Sequence, residues 1–341
     1  MKRVLLFIGI VMFSAPMLAQ DLHFSQFYNS PLTINPALTG KEDASYRVNA
    51  NYRNQWYTLD NSKPIATYAV SVDGRILDDV IPNYDNLGIG LQAFYDTAGD
   101  GQYTNASIMP SVAYHKALGY NHKIAAGLQL GLGNKSVDFG KLLFENQYIG
   151  IGFDPNLPTG ENVAADNVNH FDMNGGVYYS YRSNDDSWNA FIGGSLYHVN
   201  APDIAFLDGS TAELPERSVI NGGLTYIAPN GIVISPSALI MNQSGAHELN
   251  VGTIVGKQLG SIYNPTGQGS TAAYGGVFWR KDDAIIGKAG LQFDNMNIGL
   301  SGDFANSEIK RALGLNSAFE LSFTLLGFPE TDDKPIFCPS F

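Results

Sequence analysis

The chain is nearly without cysteine. Cys338 stands alone in 341 residues, so no internal disulfide can form, and in an exported chain an odd thiol is read as an intermolecular bridge, an exposed sulfur or, equally, a buried inert thiol. Charge is sparse, at 15% of residues, and basic charge sparser: 20 Lys and Arg stand against 32 Asp and Glu. An acidic surface of this kind repels phosphate backbones, so nucleic acid is not an expected partner. Long apolar runs are missing too. After residue 20 no stretch reaches the length of a membrane-crossing helix. Heptads and long amphipathic helical patterns are also lacking.

The first twenty residues carry the features of an export signal. Lys2 and Arg3 precede the apolar stretch Val4 to Phe13, Ser14 to Pro16 break it, and Ala19 offers a small cleavage residue. That stretch is too short for a membrane anchor, and cleavage after Ala19 is expected. Removal of 1–19 takes two cations and no acid, moving the net charge from −12 to −14.

What the remainder does have is alternation. In Tyr46 to Trp56, Tyr46, Val48, Ala50, Tyr52 and Trp56 share one face, and Arg47, Asn49, Asn51, Arg53 and Gln55 share the other. A period of two over about ten residues matches a tilted membrane-spanning strand. The pattern recurs around 66–72, 87–95, 103–115, 124–133, 171–181, 187–198, 217–227, 231–242, 247–257, 273–281, 284–293, 296–303 and 319–326. Aromatics sit at many ends, among them Trp56, Tyr57, Tyr95, Tyr103, Tyr181, Trp188, Trp279 and Phe293. The fold class expected is all-β: a transmembrane antiparallel outer-membrane β-barrel of fourteen strands over 46–326. A soluble β-sandwich also alternates, but needs fewer and shorter strands. Pro110 and Pro236 fall inside two segments and should mark a bulge or a strand start.

Residues 20–45 form an N-terminal segment on the periplasmic side of the barrel. Pro31, Asn35, Pro36 and Gly40 make it turn repeatedly. Its apolar side chains, Phe24 and Phe27 among them, should pack against the barrel mouth or partly inside the lumen. With both termini periplasmic, odd-numbered connections face outward. Those near 134–169, 199–217 and 304–318 are long, as expected. Two even-numbered connections, 74–85 and 258–272, are also long. They supply Ile76, Leu77, Tyr84 and Tyr263 as candidate partner contacts, together with Phe337, Cys338 and Phe341 from the tail 327–341.

No catalytic constellation emerges. The six histidines never form His-Glu-x-x-His, and Gly193-Gly194-Ser195 ends in Tyr197 where a nucleophile elbow needs glycine. Gly131 and Gly133 read as small lumen-facing strand residues. Asp96 to Gly101 offers oxygen ligands without the later glutamate of a calcium loop, and reads as a hairpin turn. No enzyme activity, metal or cofactor is expected. Arg47 and Arg53 either pair with acids of neighbouring strands or form a basic stripe for a plug or partner peptide.

The N-terminal stretch Gln20-Asp-Leu-His-Phe-Ser-Gln, followed by Asn35-Pro36-Ala37 and Gly40, resembles the opening of the PorP/SprF family of Bacteroidota outer-membrane proteins. Tyr52-Arg53-Asn54-Gln55-Trp56 is similar to a strand of that family. Ser195-Leu196-Tyr197-His198 with Pro202 and then Leu214-Pro215-Glu216-Arg217 is similar to one of its loops, and Phe319 to Gly327 to its closing strand. The resemblance implies a barrel in the outer-membrane lipid that works with the type IX secretion and gliding machinery and a secreted or surface-anchored adhesin. A passive porin for small solutes is the competing reading, since a polar lumen would serve either.

Overall fold

The computed structural model describes residues 21–41, 44–57, 63–77, 81, 85–161, 165–259, 271–293, 295–306 and 316–327. Fourteen antiparallel strands close into one barrel, each paired with its sequence neighbours and β1 paired with β14. They are β1 (Tyr46–Gln55), β2 (Ile65–Ile76), β3 (Asn86–Ala98), β4 (Tyr103–Ala117), β5 (His122–Ser136), β6 (Asn167–Arg182), β7 (Trp188–Tyr197), β8 (Arg217–Ile227), β9 (Ile232–Gln243), β10 (Ala246–Gln258), β11 (Thr271–Arg280), β12 (Ala284–Phe293), β13 (Met296–Ala305) and β14 (Asn316–Gly327). No helix among the described residues is long and apolar enough to cross a membrane; this chain crosses with strands.

The alternation sorts side chains as a bilayer requires. Val70, Val72, Ile108, Leu128, Leu132, Val177, Ile220, Val277 and Leu300 point outward and stay exposed, while Ser71, Asp73, Gln92, Ser107, Gln129, Asn174, Asn221 and Ser301 are buried on the lumenal side. Outward aromatics gather at both ends. Trp56, Tyr68, Tyr95, Trp279, Phe304 and Phe319 lie towards the mouth of the odd-numbered connections, and Tyr46, Tyr114, Tyr179, Trp188 and Phe293 towards the other. Amphipathic rings suit those two levels of a bilayer.

Three expectations need correction. The connection placed at 74–85 starts later, because β2 runs on to Ile76; β10 and β11 leave only 259–270 between them; and β14 ends at Gly327. The prolines mark neither bulges nor strand starts. Pro110 and Pro236 lie mid-strand and face outward. The β4–β5 register resumes unchanged after residues 109–110, as the β8–β9 register does after 235–236, while pairing to β3 and β10 is unbroken. In an antiparallel strand each residue's N–H and C=O face the same neighbour, so a proline removes contacts on one side only. Across the second gap Ser235 Oγ bonds Thr225 Oγ1 at 3.1 Å. The Asp96–Gly101 stretch is a strand end running into the tight β3–β4 turn, and no cluster of metal-binding side chains occurs among the described residues.

The lumen is occupied. Residues 21–41 run through it as three 3-10 turns, Phe27–Asn29, Pro31–Thr33 and Pro36–Leu38, taking the lumenal one of the two placements expected for this segment. Phe24, Phe27, Leu32, Ile34, Ala37 and Leu38 are buried there. The path starts beside the ends of β7 and β9, where the backbone N–H of Asp21 donates to the Gln243 side chain at 2.9 Å, and finishes at Gly40 beside β2 and β3. It therefore descends from the odd-connection mouth to the even-connection mouth before turning back into β1.

The outward face generates a test of the membrane assignment. Val177→Arg, at a position 61% exposed in the middle of β6, should destabilise the barrel in lipid by about 2–4 kcal/mol. Urea unfolding in vesicles reads that loss.

Candidate functional site: a clamped lumenal plug

A chain without regular secondary structure inside a barrel has backbone groups that need partners. The wall supplies them in three tiers. Towards the odd-connection mouth, Arg53 of β1 is 1% exposed and donates to Glu320 of β14, to Asp303 of β13 at 3.1 Å and to Ser25 Oγ at 2.6 Å. Arg280 of β11 reaches Asp303 at 2.6 Å and Ser25 Oγ at 3.1 Å. Glu320 accepts the backbone N–H groups of Ser25 at 2.5 Å and Gln26 at 2.8 Å. Two guanidinium groups and two carboxylates thus balance around one plug serine, and neither acid lacks a cation.

Beside this group lies a second clasp. His198, just past β7, bonds Asp172 through Nδ1 at 2.9 Å and the Asp21 carboxylate through Nε2. Arg217, the first residue of β8, lies 3.8 Å from the Asp21 carboxylate and packs 4.2 Å over the Tyr197 ring. It also donates to the carbonyls of Leu22 at 3.3 Å and Thr33 at 3.2 Å. Burial alone would lower the His198 pKa, but the bonds to Asp172 and Asp21 outweigh it and raise it. Burial would likewise raise Asp21, yet the hydrogen bond and charge of His198 and the charge of Arg217 hold that carboxyl well below its usual range.

Mid-lumen, Asn35 caps the last 3-10 turn by accepting from the Ala37 N–H at 2.9 Å, and donates to the Val177 carbonyl at 2.9 Å. Ser195 and Tyr197 donate to the carbonyls of Ile34 at 2.5 Å and Leu32 at 3.1 Å. The wall makes room for this backbone. A Cβ added at Gly127 would stand 2.5 Å from Ala37 N, and one at Gly176 would stand 2.0 Å from Asn35 Oδ1. At the lower tier Arg47 binds Asp73 through two bonds, of 3.0 and 2.9 Å, and donates to the Leu38 carbonyl at 3.0 Å. Asp73 accepts the Gly40 N–H at 2.7 Å, and His115 Nε2 donates to the Thr39 carbonyl at 2.8 Å. Gly40 has a φ of +65° and packs so closely on β2 and β3 that a side chain there would meet backbone atoms of Gly88 and Gly74.

Apolar contacts fill the space between tiers. Phe27 and Ile34 pack with lumen-facing Tyr197, Val219, Leu239, Ile254, Tyr274, Phe278 and Ile286. Pro36 is buried beside a smaller group of Ala37, Leu38, Ala125 and Tyr178. Lys288 sits 3.9 Å over the Phe278 ring and 4.2 Å over Tyr28, a cation held by aromatic faces. The lumenal face of β7 to β12 is thus mixed, with this apolar cluster set among buried polar residues such as Ser195, Asn221, Asn250 and Gln292.

The sequence matches the family described as "Type IX secretion system membrane protein PorP/SprF" over residues 17–325. The chain belongs to the PorP/SprF family. No curated protein matches it. Among solved structures it resembles the toluene transporter TodX of Pseudomonas putida, with a TM-score of 0.50, 12% identity, and 87% and 92% of the two chains covered. It also resembles a TodX deletion mutant described as a monoaromatic hydrocarbon channel, at 0.50, 10%, 87% and 93%. At such identities the likeness concerns the outer-membrane barrel fold. Neither that fold nor PorP/SprF membership is enzyme-like.

The residues that carry the PorP/SprF resemblance meet in this lumen: Asp21, Ser25, Gln26, Asn35 and Gly40 on the plug, Arg53, His198 and Arg217 on the wall. Of the polar stripe read from β1, all five members face inward. Asn49 bonds Thr324 at 2.9 Å, Asn51 donates to the Asn29 carbonyl at 3.0 Å, and the Gln55 amide lies against the Arg53 guanidinium. The two arginines thus pair with neighbouring-strand acids and grip the plug together. Among the candidate partner contacts, Ile76 ends β2 and is half-buried, and Leu77 is 51% exposed. Tyr84, Tyr263, Phe337, Cys338 and Phe341 lie outside the described residues, as does the signal segment. Sequence reasoning missed Asp303, Glu320 and Arg280, which belong to strands remote in sequence. It also missed the apolar lumen wall, although the signal was present: Val219-Ile220, Val233-Ile234, Leu239-Ile240, Ile254-Val255, Val277-Phe278 and Ile285-Ile286 are apolar pairs, as strands covered on both faces require.

Two predictions follow from the clamp geometry. Arg53→Ala strands Glu320, while Asp303 keeps Arg280, and should cost about 3–5 kcal/mol. Arg53→Met combined with Glu320→Gln should recover part of that loss, as read by urea midpoints in detergent. The second concerns pH. A raised His198 pKa contributes stability fully present below its unfolded value of about 6.5 and lost as pH climbs through the folded value. A lowered Asp21 pKa contributes stability present above about 3.9 and lost only as pH falls through its folded value. The melting temperature should therefore fall as pH rises above about 6.5, and the fall should shrink in His198→Gln.

Proposed function

We propose that this outer-membrane barrel is a docking component of the type IX secretion and gliding machinery, anchoring a secreted or surface protein by its mouths and not by a conducting lumen. The filled lumen carries this reading. A water-filled porin keeps a polar interior, whereas here the wall of β7 to β12 presents Val219, Leu239, Ile254, Phe278 and Ile286 to the plug. Losing the plug would wet that apolar surface, an unfavourable change. In this reading 1–19 is a cleaved export signal, and the odd-connection mouth faces the cell exterior. The even connections, with Ile76, Leu77, Tyr84 and Tyr263, and the tail with Phe337, Cys338 and Phe341 face the periplasmic machinery. The partners are envelope proteins of that machinery, with outer-membrane lipid around the barrel.

Deleting the gene should deplete one or more large proteins from the cell surface without changing small-solute uptake. Purified protein in planar bilayers should give no steady current. An unchanged surface proteome together with slowed solute uptake, or stable conductance by the intact chain, would return the passive porin.

A further inference from the structure

The odd-connection mouth carries a feature the lumen does not explain. In the 137–166 connection, Leu143, Tyr148, Ile149, Ile151 and Phe153 all stand in water, with Ile151 94% exposed. These side chains are not on a slack loop. Tyr148 and Phe153 form a β-bridge, the Ile149 N–H donates to the Gly152 carbonyl at 2.9 Å, and the Asp154 N–H donates to the Gln147 carbonyl at 2.8 Å. Gln147 is 3% exposed in this otherwise exposed stretch. Its side chain accepts from the Phe144 N–H at 3.0 Å and donates to the Leu157 carbonyl at 3.0 Å. A buried amide thus fixes a small hairpin whose apex, Ile149-Gly150-Ile151, is exposed. Phe139 ties this connection to the 198–216 connection through an edge contact with Phe206, centroids 6.2 Å apart.

Leaving preorganised aliphatic and aromatic side chains in water is unfavourable, and such tips mark contact sites. The surrounding charge selects the occupant. Asp138, Glu145, Asp154, Glu161 and Asp166 lie in the first connection and Asp203, Asp208, Glu213 and Glu216 in the second, against Lys141, which pairs with Asp138 at 2.6 Å, and Lys63 of the β1–β2 connection nearby. Anionic lipid headgroups would be repelled by this rim, whereas lysine and arginine would be drawn to it. We infer that the hairpin at 142–157 is a docking knob for a polypeptide presenting an apolar cleft with a basic rim. This inference rests on the docking reading above and names the surface and partner chemistry at the outer mouth.

The test uses the full chain in its native host. The gene deletion first identifies which surface protein is lost. Two variants then replace the wild type: Ile149→Ser with Ile151→Ser, and Glu145→Lys with Asp154→Lys. Both leave Gln147 and the barrel untouched, and heat-modifiable migration in gels reports that the barrel is folded. Each variant should lower that same surface protein by about tenfold at unchanged barrel level. A photocrosslinking benzophenone residue at position 151 should capture that protein, with a yield that falls between about 0.1 M and about 0.5 M salt. Wild-type display in both variants, with the protein lost in the deletion strain, would place docking elsewhere and leave the docking reading intact. Crosslinks to lipid alone would make the hairpin a membrane contact and overturn the inference. A deletion strain with a normal surface proteome would remove both.

Discussion

The ion pair between Arg53 and Glu320 is the contact on which this architecture turns. The two residues are direct register partners across the seam where β1 meets β14 and the barrel closes. The same two groups grip the plug, Arg53 through Ser25 Oγ and Glu320 through the Ser25 and Gln26 N–H groups. Closure of the sheet and occupation of its lumen thereby share the same two side chains. Arg47 and Asp73 repeat the device lower down as register partners of β1 and β2 that also hold Leu38 and Gly40. Strand β1 is thus the hinge of the design: it continues from the plug, closes the sheet on both sides and carries the guanidinium groups that bind the plug back.

Buried charge is a costly adhesive, and replacing it by apolar side chains would often stabilise a protein. Its use here follows from what is being held. Three short 3-10 turns leave many backbone N–H groups without partners inside the segment itself. Carboxylates can satisfy two such donors at once and arginine can satisfy carbonyls, so a charged wall accepts an irregular chain where an apolar wall could not. The apolar part of the contact is kept where the plug offers Phe27 and Ile34. The result fixes one register of plug against barrel through directional contacts, with apolar burial between the tiers.

Much of the fold was legible because a lipid-facing strand imposes a strict period of two. The stretch Tyr46–Trp56 showed its faces without reference to the rest of the chain. Strand ends are less legible: the alternation of apolar residues stops at Val72, although Gly74 and Arg75 remain paired with β1 and β3. The prolines were misread because sequence shows the missing N–H but not which neighbour loses it. In the site, Arg47 and Arg53 stood out as lone cations on a polar face, whereas their partners could not be chosen, since Arg53 and Glu320 lie 267 residues apart. Length makes the even connections the expected place for apolar loop residues; among the described residues the most exposed ones stand at both mouths, Tyr120 at the even one and Ile151 at the odd one.

The claim beneath all of this is that residues 24–40 are an integral, clamped part of the folded barrel. Backbone amide hydrogen exchange on the intact protein in lipid nanodiscs measures it directly, residue by residue. The account predicts that the N–H groups of Ser25, Gln26, Ala37 and Gly40, all bonded within the plug or to the wall, exchange as slowly as those of β1 and β14. Complete exchange of this segment at the rate of an unstructured peptide, with the strands still protected, would contradict it.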